Sequence, residues 1–206
     1  MSPERSKPYH HGDLKAVLID GAVELIAERG VRGFSLAELS RRLGVTVGAP
    51  YRHFADRDEL LAAVAVRALR IFGQALAAQA SQTDPPERRL AAMADGYVRF
   101  AAQQRALFSV VFDVGLDKKS RYPELRQAYA DLEGMLGGCV AELCPGDPAA
   151  AERLADAVEA IAHGYAMLLT DQPDPPDPAA VDRAARQAAS ATLALIRGRE
   201  ALGEGC

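Results

Sequence analysis

Apolar residues recur every three or four positions through most of this chain, which is the spacing of amphipathic helices. The first such run places Leu14, Leu18 and Leu25 on one face and ends at Gly30. No segment alternates polar and apolar residues convincingly, so no β-sheet is expected. The pattern predicts an all-α fold of about nine helices, near residues 13–29, 35–43, 47–53, 57–80, 85–103, 105–115, 123–143, 148–171 and 178–198.

Several helix starts are marked by residues that satisfy free backbone N–H groups. Asp56 followed by Glu59 forms a capping box ahead of the fourth predicted helix. Three further starts combine a capping aspartate with a proline, which needs no N–H at the first helical position. These pairs are Asp84-Pro85, Asp147-Pro148 and Asp177-Pro178.

The second and third predicted helices form a helix-turn-helix pattern. Ser35 and Glu38 make a capping box, and the helix that follows buries Leu36, Leu39 and Leu43 on one face. Gly44 tolerates the left-handed conformation that ends a helix, and Thr46 can cap the next one. A turn this short presents the second helix to the major groove of DNA.

The pattern resembles the signature of the TetR family of transcriptional regulators. The residues that carry the resemblance are Phe34, Ser35, Leu39, Leu43-Gly44-Val45-Thr46, Gly48, Tyr51, His53-Phe54, Arg57 and Leu60-Leu61. An amphipathic helix before the motif and a long helix after it supply the expected context. The resemblance implies a DNA-binding domain of three helices over residues 1–56 and a larger helical domain for ligand binding and dimerisation over 57–206.

The resemblance also implies which residues contact double-stranded DNA. Tyr51 and His53 are similar to the family's phosphate-contacting residues, and Gly48 lets the backbone approach DNA closely. Tyr51 could equally belong to the core, and Arg42 could be an ordinary solvated charge. The full predicted set is Ser35, Arg41, Arg42, Thr46, Val47, Gly48, Ala49, Tyr51, His53 and Arg57.

Pro50 departs from the family pattern, which most often has an apolar residue before the tyrosine. Proline has no N–H to donate to the first turn of a helix that Thr46 would cap. The third helix is therefore expected to begin late or to be shortened. This departure leaves the base-contacting residues open.

The charge is distributed as a DNA-binding N-terminal region requires. The whole chain has a net charge of −4, but residues 1–57 hold nine Lys and Arg against seven Asp and Glu. Affinity for phosphates depends on where these cations lie more than on the total charge.

The middle helices carry aromatic and polarisable side chains that suit a small-molecule pocket, although the same spacing is common in an ordinary core. The resemblance implies that some of them line an inducer site. The predicted ligand residues are Phe72, Tyr97, Phe100, Phe108, Phe112, Tyr129, His163 and Met167. The segment 160–169 also resembles a His-Gly element of one TetR subgroup, in which His163 would bind either a ligand or a backbone carbonyl.

Two terminal helices carry stripes at the spacing of helix packing. They comprise Leu154, Val158, Ile161, Tyr165 and Leu168, and Val181, Ala185, Ala188, Thr192 and Leu195. Either stripe alone could be core within one chain. A two-fold operator requires a dimer, and the resemblance implies that these helices form a homodimer.

Other classes of function have little support. The sequence has no phosphate-binding loop, nucleophile elbow or metal-ligand cluster, so no catalytic residue, cofactor or metal is expected. Three cysteines at these spacings predict reduced thiols, and no apolar stretch reaches the roughly 18 residues needed to span a membrane. We therefore predict a cytoplasmic, ligand-responsive regulator, more specifically a repressor released from a palindromic operator by a small molecule. The alternative is a constitutive DNA-binding regulator without a ligand.

Overall fold

The computed structural model describes residues 14–80, 85–113, 121–171 and 174–199. Within these ranges the chain has eight α-helices, one short 3-10 helix and no strand, which confirms the predicted all-α fold. The helices are α1 (Leu14–Gly33), α2 (Leu36–Leu43), α3 (Arg57–Ala80), α4 (Pro86–Gln103), α5 (Arg105–Asp113), α6 (Pro123–Leu143), α7 (Pro148–Thr170) and α8 (Pro178–Arg197).

The predicted helix over 47–53 is the one that differs. Its place is taken by a 3-10 helix of three residues, Pro50–Arg52, so the described part of the chain has eight α-helices instead of about nine. The shortening has the cause that the sequence suggested, because Pro50 cannot donate a backbone hydrogen bond to Thr46.

The predicted capping signals are met at two helix starts. The Glu59 N–H donates to Asp56 Oδ1 at 2.8 Å, and the Glu59 carboxylate accepts from the Ala55 N–H at 2.5 Å. The Asp147 carboxylate accepts from the Ala150 N–H at 2.9 Å. At α8, Asp177 occupies the capping position without a side-chain hydrogen bond. Helix α4 begins at Pro86, one residue later than expected, and Asp84 lies outside the described residues.

Helix α4 is the centre of the larger domain, because it packs against α3, α6, α7 and α8. Its Tyr97 and Phe100 both contact Phe72 of α3, with ring centroids 4.9 and 4.7 Å apart. Leu90 and Val98 of the same helix are fully buried. The aromatic cluster thus joins the long helix that leaves the N-terminal motif to the core of the larger domain.

Helix α3 corrects the expectation that no segment is apolar enough to span a membrane. Its 24 residues meet that criterion by length and composition. More than half of its most apolar window is buried inside the protein, where Leu60, Val64, Leu69 and Phe72 contribute to the core. Burial in a helical core explains the same composition without a membrane.

The two terminal stripes divide between core and surface. Val181, Ala185, Ala188 and Thr192 are buried within the chain, where α8 packs against α4 and α7, so this stripe is core. On α7, Leu154 and Val158 are also buried, whereas Leu168 is 80% exposed. Among the described residues of the α7 stripe, Leu168 is thus the one that remains largely uncovered in a single chain.

The cysteines also correct an expectation. Cys139 is a free thiol, but the buried Cys144 is disulfide-bonded and not a reduced thiol. Cys206 lies outside the described residues.

Gly30 sets the angle between α1 and the chain that follows. Its φ of 70° and ψ of 166° interrupt α1 and belong to a region that only glycine adopts at low cost. We expect Gly30→Ala to lower the free energy of unfolding by about 1 to 3 kcal/mol, measured by urea denaturation at fixed protein concentration.

Gly134→Ala is the matched control for this backbone effect. An added Cβ would meet no atom within 4 Å at either glycine, but Gly134 lies inside α6 without a positive φ. Alanine there should raise stability by about 0.5 to 1 kcal/mol. Equal effects of the two substitutions would contradict the strain assigned to Gly30.

Candidate nucleic-acid interface and interior cavity

The helix-turn-helix begins with a short helix that is capped at both ends. The Ser35 hydroxyl oxygen accepts from the Glu38 N–H at 3.3 Å. At the other end Gly44 has a φ of 66°, and the Val45 N–H donates back to the Ser40 carbonyl at 3.0 Å. This left-handed ending satisfies the last carbonyls of α2 and turns the chain sharply.

The segment after the turn is held by local hydrogen bonds and by a proline. The Ala49 N–H donates to the Thr46 carbonyl at 2.9 Å, and the His53 N–H donates to the Pro50 carbonyl at 3.0 Å. Pro50 itself is buried, and Phe54 anchors the end of the segment in the core with 2% exposure. The backbone between the turn and Phe54 is thus fixed from both sides.

The outer surface of this segment exposes large apolar side chains of the kind that are usually buried in a protein core. Val47 is 57% exposed and Tyr51 is 55% exposed. Tyr51 is therefore a surface residue, which decides between the two interpretations that the sequence left open. Three other predicted residues of this segment, Thr46, Gly48 and His53, are also exposed, as are their neighbour Arg52 and, at the start of α2, Ser35.

Ala49 lies on the opposite side of the segment. It is only 8% exposed and packs inward. A side chain in this position cannot reach a base edge, so Ala49 leaves the set of residues proposed for base contact.

The neighbouring arginines of α2 differ in their surroundings. Arg42 donates two hydrogen bonds of 2.6 Å to the Glu28 carboxylate on α1, and Glu24 lies 3.5 Å away. The hydrogen bond from Arg42 lowers the pKa of Glu28, and the same bond raises the pKa of Arg42. Arg41 is exposed, and no described residue forms an ion pair with it. Arg41 is therefore the better placed of the two for an external phosphate or base.

Arg57 is directed into the protein rather than outwards. Its guanidinium donates to the carbonyl of Phe34 at 3.0 Å and also to the carbonyl of Val31. It also lies 5.6 Å from the centre of the Phe34 ring. These carbonyls follow the interruption at Gly30, so Arg57 connects the end of α1 and the start of α2 to the first residue of α3.

An interior cavity of about 330 Å³ lies in the larger domain between α3, α4, α5, α6 and α7. Four of the predicted ligand residues line it, namely Phe72, Tyr97, Phe112 and Tyr129. The Tyr129 hydroxyl donates to the Val111 carbonyl at 2.6 Å, which fixes its ring at the wall. Two carboxylates outside the predicted set, those of Glu133 and Glu159, also line the cavity.

A second cleft of about 580 Å³ lies between α1, α5 and α7. It takes up three more of the predicted residues, Phe108, His163 and Met167, and it shares Phe112 with the interior cavity. Phe112 lies 4.7 Å from both the Phe108 ring and the His163 ring. Phe100 lines neither space and belongs to the core.

His163 and Tyr97 form a polar contact beside this group of rings. The Tyr97 hydroxyl oxygen lies 2.9 Å from His163 Nδ1, which is a hydrogen-bond distance. Burial raises the pKa of Tyr97, and the negative charge of Glu159 raises it further. The hydroxyl is therefore neutral at physiological pH.

The N-terminus of α6 touches the start of α3. Arg121 donates to the Asp56 carboxylate at 3.2 Å, on the oxygen that is not used to cap α3. Tyr122 packs beside it, and burial together with the negative charge of Asp56 raises the pKa of Tyr122. This contact connects a helix that lines the cavity to the residue that ends the helix-turn-helix segment.

No metal centre is evident in the part of the chain that the structure describes, where no group of three or more His, Cys, Asp or Glu residues could hold an ion. Three charged residues at these sites were not predicted from the sequence, namely Glu133, Glu159 and Arg121. In the sequence they resemble ordinary exposed charges in or beside helices. Only the packing of α6 against α3 and α7 brings them to these places.

Two family models match this chain. Residues 18–64 match the model described as bacterial regulatory proteins, tetR family. Residues 90–192, half of the chain, match the model described as tetracyclin repressor-like, C-terminal domain. The suggested His-Gly subgroup stays a prediction.

Among curated proteins, the chain is similar to the HTH-type transcriptional regulator BetI of Brucella anthropi. The two are 34% identical over 89 residues, which cover 43% of this chain and 45% of that regulator. The chain thus spans less than half the length of the curated relatives that it matches first.

Solved structures extend the similarity over nearly the whole length. A protein of unknown function from Rhodococcus sp. RHA1 is 30% identical, with a TM-score of 0.72 over 94% of this chain and 98% of that chain. The transcriptional regulator FadR from Bacillus subtilis, solved in complex with stearoyl-CoA, is 16% identical with a TM-score of 0.64 over 88% and 96%. The latter shows a common fold.

The geometry of Arg57 leads to a prediction about stability. Arg57→Gln should lower the free energy of unfolding by about 1 to 2 kcal/mol, because it removes hydrogen bonds from a charged donor that is itself partly exposed. Urea denaturation measures this change. Arg52→Gln, at an exposed neighbouring position, should change stability by no more than about 0.5 kcal/mol. A stable Arg57→Gln protein that binds DNA poorly would instead support the direct phosphate contact predicted from the sequence.

Proposed function

Because the chain belongs to the TetR family of transcriptional regulators, we propose that it is a dimeric repressor that leaves a palindromic operator when a small molecule enters its larger domain. Residues 1–56 form the DNA-binding domain in this proposal, and residues 57–206 form the domain for ligand binding and dimerisation. The protein acts as a cytoplasmic regulator and not as an enzyme.

The observation that carries the DNA-binding part is the exposed surface between Thr46 and His53. Val47 and Tyr51 are more than half exposed there, although both have large apolar parts. Burial against a DNA groove and its backbone would explain this exposure. In our proposal Tyr51, His53, Ser35 and Arg41 contact phosphates, while Thr46 and Val47 face the bases, and Gly48 allows close approach.

A dimer is proposed because one exposed helix-turn-helix reads only half of a two-fold site. The uncovered side of α7 supports this arrangement. Leu168 is 80% exposed, and Gly164 on the preceding turn offers no side chain that would keep a second helix away. A second copy of the chain packed on α7 would cover this apolar surface.

The interior cavity supports a ligand-responsive regulator over a constitutive one. A domain without a ligand would be expected to fill its core, because empty space in a core lowers stability. This chain instead leaves about 330 Å³ among aromatic side chains. The B. subtilis regulator with the same fold forms a complex with stearoyl-CoA, so such a fold can hold a small molecule.

Two contacts offer routes from the cavity to the DNA-binding segment. One is the pair Arg121–Asp56 between α6 and the start of α3. The other is Phe112, which lines both the cavity and the cleft against α1. A tenfold loss of operator affinity requires only about 1.4 kcal/mol of difference in ligand binding between the two states.

The whole proposal is tested by isolating the operator first. Genomic fragments captured by the purified protein are footprinted, and compounds are then screened for release of the protected fragment. We expect a protected inverted repeat and at least one compound that releases it. Ala162→Phe, which fills the cavity, should keep operator binding and lose the response. A folded protein that protects no inverted repeat, or a filled variant that still responds, would contradict the proposal.

The two arginines of α2 provide a sharper test of the DNA surface. Arg41→Ala should weaken binding to the operator and reduce the slope of log affinity against log salt concentration by about 1, as expected when one phosphate contact is lost. Arg42→Ala should leave the slope unchanged, because Arg42 already pairs with Glu28. Fluorescence anisotropy at several salt concentrations measures both. If Arg42→Ala reduced the slope and Arg41→Ala did not, the ion pair between Arg42 and Glu28 would have to break when the protein binds DNA.

A further inference from the structure

We propose that the ligand of the interior cavity is a lipophilic cation, with its apolar body against the aromatic wall and its positive charge near Glu133 and Glu159. This inference rests on the proposed ligand site and adds the chemical class of its occupant. A carboxylate ligand, a phosphate ester or a purely neutral hydrocarbon would be disfavoured.

The first step of the argument is the balance of charge in the cavity. Its charged lining residues are Glu133 from α6 and Glu159 from α7, and no Lys or Arg is among the lining residues that the structure describes. A cavity that takes an anion normally presents a positive charge or free backbone N–H groups. The charged side chains that line this cavity in the described residues are carboxylates, and the rest of the wall includes aromatic rings.

The second step is that the negative charges act inside the cavity and not only at its surface. The charge of Glu159 raises the pKa of Tyr97, and the charge of Glu133 raises the pKa of Tyr129, in both cases in addition to the effect of burial. Both phenols line the cavity. The same negative charges would attract a cation and repel an anion.

The third step is the negative charge of the neighbouring surface. A shallow depression on the other side of Phe112 is lined by Asp156, Glu159 and His163. Asp156 and Glu159 are three positions apart on α7, so they lie on the same face of the helix, and both are exposed. A cation would therefore meet negative charge outside the cavity as well as at its wall.

The fourth step is the chemistry of the walls. Phe72, Tyr97, Phe112 and Tyr129 present ring faces and edges within one space. Aromatic faces attract cations through their quadrupole, and the attraction grows when the cation is desolvated. Since both carboxylates are exposed, solvent screens their charge in part, and the combined preference should be moderate.

Three probes of nearly equal shape test the inference. They are phenyltrimethylammonium, its neutral isostere tert-butylbenzene, and the anion benzenesulfonate, each measured by equilibrium dialysis against the full-length protein. We expect the cation to bind about tenfold more tightly than the neutral isostere, and the anion to bind most weakly. Equal or tighter binding of the neutral isostere or of the anion would overturn the inference, and so would the retention of no probe by the folded protein.

Carboxamide variants identify the groups responsible. Glu159→Gln and Glu133→Gln should each reduce binding of the cation about threefold or more and leave binding of tert-butylbenzene unchanged. Glu152→Gln is the matched control, because Glu152 is an exposed glutamate of α7 that does not line the cavity. A preference for the cation that survives in the double variant Glu133→Gln, Glu159→Gln would overturn the assignment.

Operator binding measured on the same samples separates this inference from the proposed function. If the cation binds with the expected preference but does not release the operator, ligand-controlled repression fails and the ligand class stands. If a neutral or anionic compound releases the operator and the cation does not bind, the ligand class fails and the regulatory function stands.

Discussion

The guanidinium group of Arg57 joins the helix-turn-helix to the long helix that follows it. It is the first residue of α3, yet its hydrogen bonds go back to the carbonyls of Val31 and Phe34. Gly30 directs these carbonyls by its unusual backbone angles, so the position of α2 depends on Gly30 and Arg57 together. A displacement of the start of α3 would therefore either move the start of α2 or break these bonds.

The elements that follow local rules could be read from the sequence. The side-chain caps at Ser35 and Asp56 and the left-handed Gly44 depend on residues only a few positions apart, and all three form. The second bond of a capping box is absent from the described contacts of Glu38, whose carboxylate pairs with Arg29. The late and short recognition segment could also be anticipated, because the missing N–H of Pro50 is a property of that residue alone.

The features that depend on tertiary packing could not be read in the same way. Arginines such as Arg42 and Arg57 commonly contact DNA, but both donate hydrogen bonds within this protein. Arg42 donates to Glu28, and Arg57 donates to two backbone carbonyls. Ala49 is buried, which its place beside exposed residues in the sequence did not indicate. The pattern of one helix does not show which neighbouring helix covers each of its faces. For this reason neither the burial of the α8 stripe nor the position of the two carboxylates at the cavity could be predicted from the sequence.

The contact between Arg121 and Asp56 has a consequence for how the protein responds to its surroundings. Both side chains are largely open to solvent, at 63% and 44% exposure, and their attraction is therefore weakened by dissolved ions. The ion pair between α6 and α3 thus weakens with rising ionic strength. Binding to DNA weakens as well, because the release of counterions is less favourable at higher salt concentration. In the proposed repressor, operator affinity and the effect of the ligand would then both decrease as the salt concentration rises, so salt would act on the same switch as the ligand.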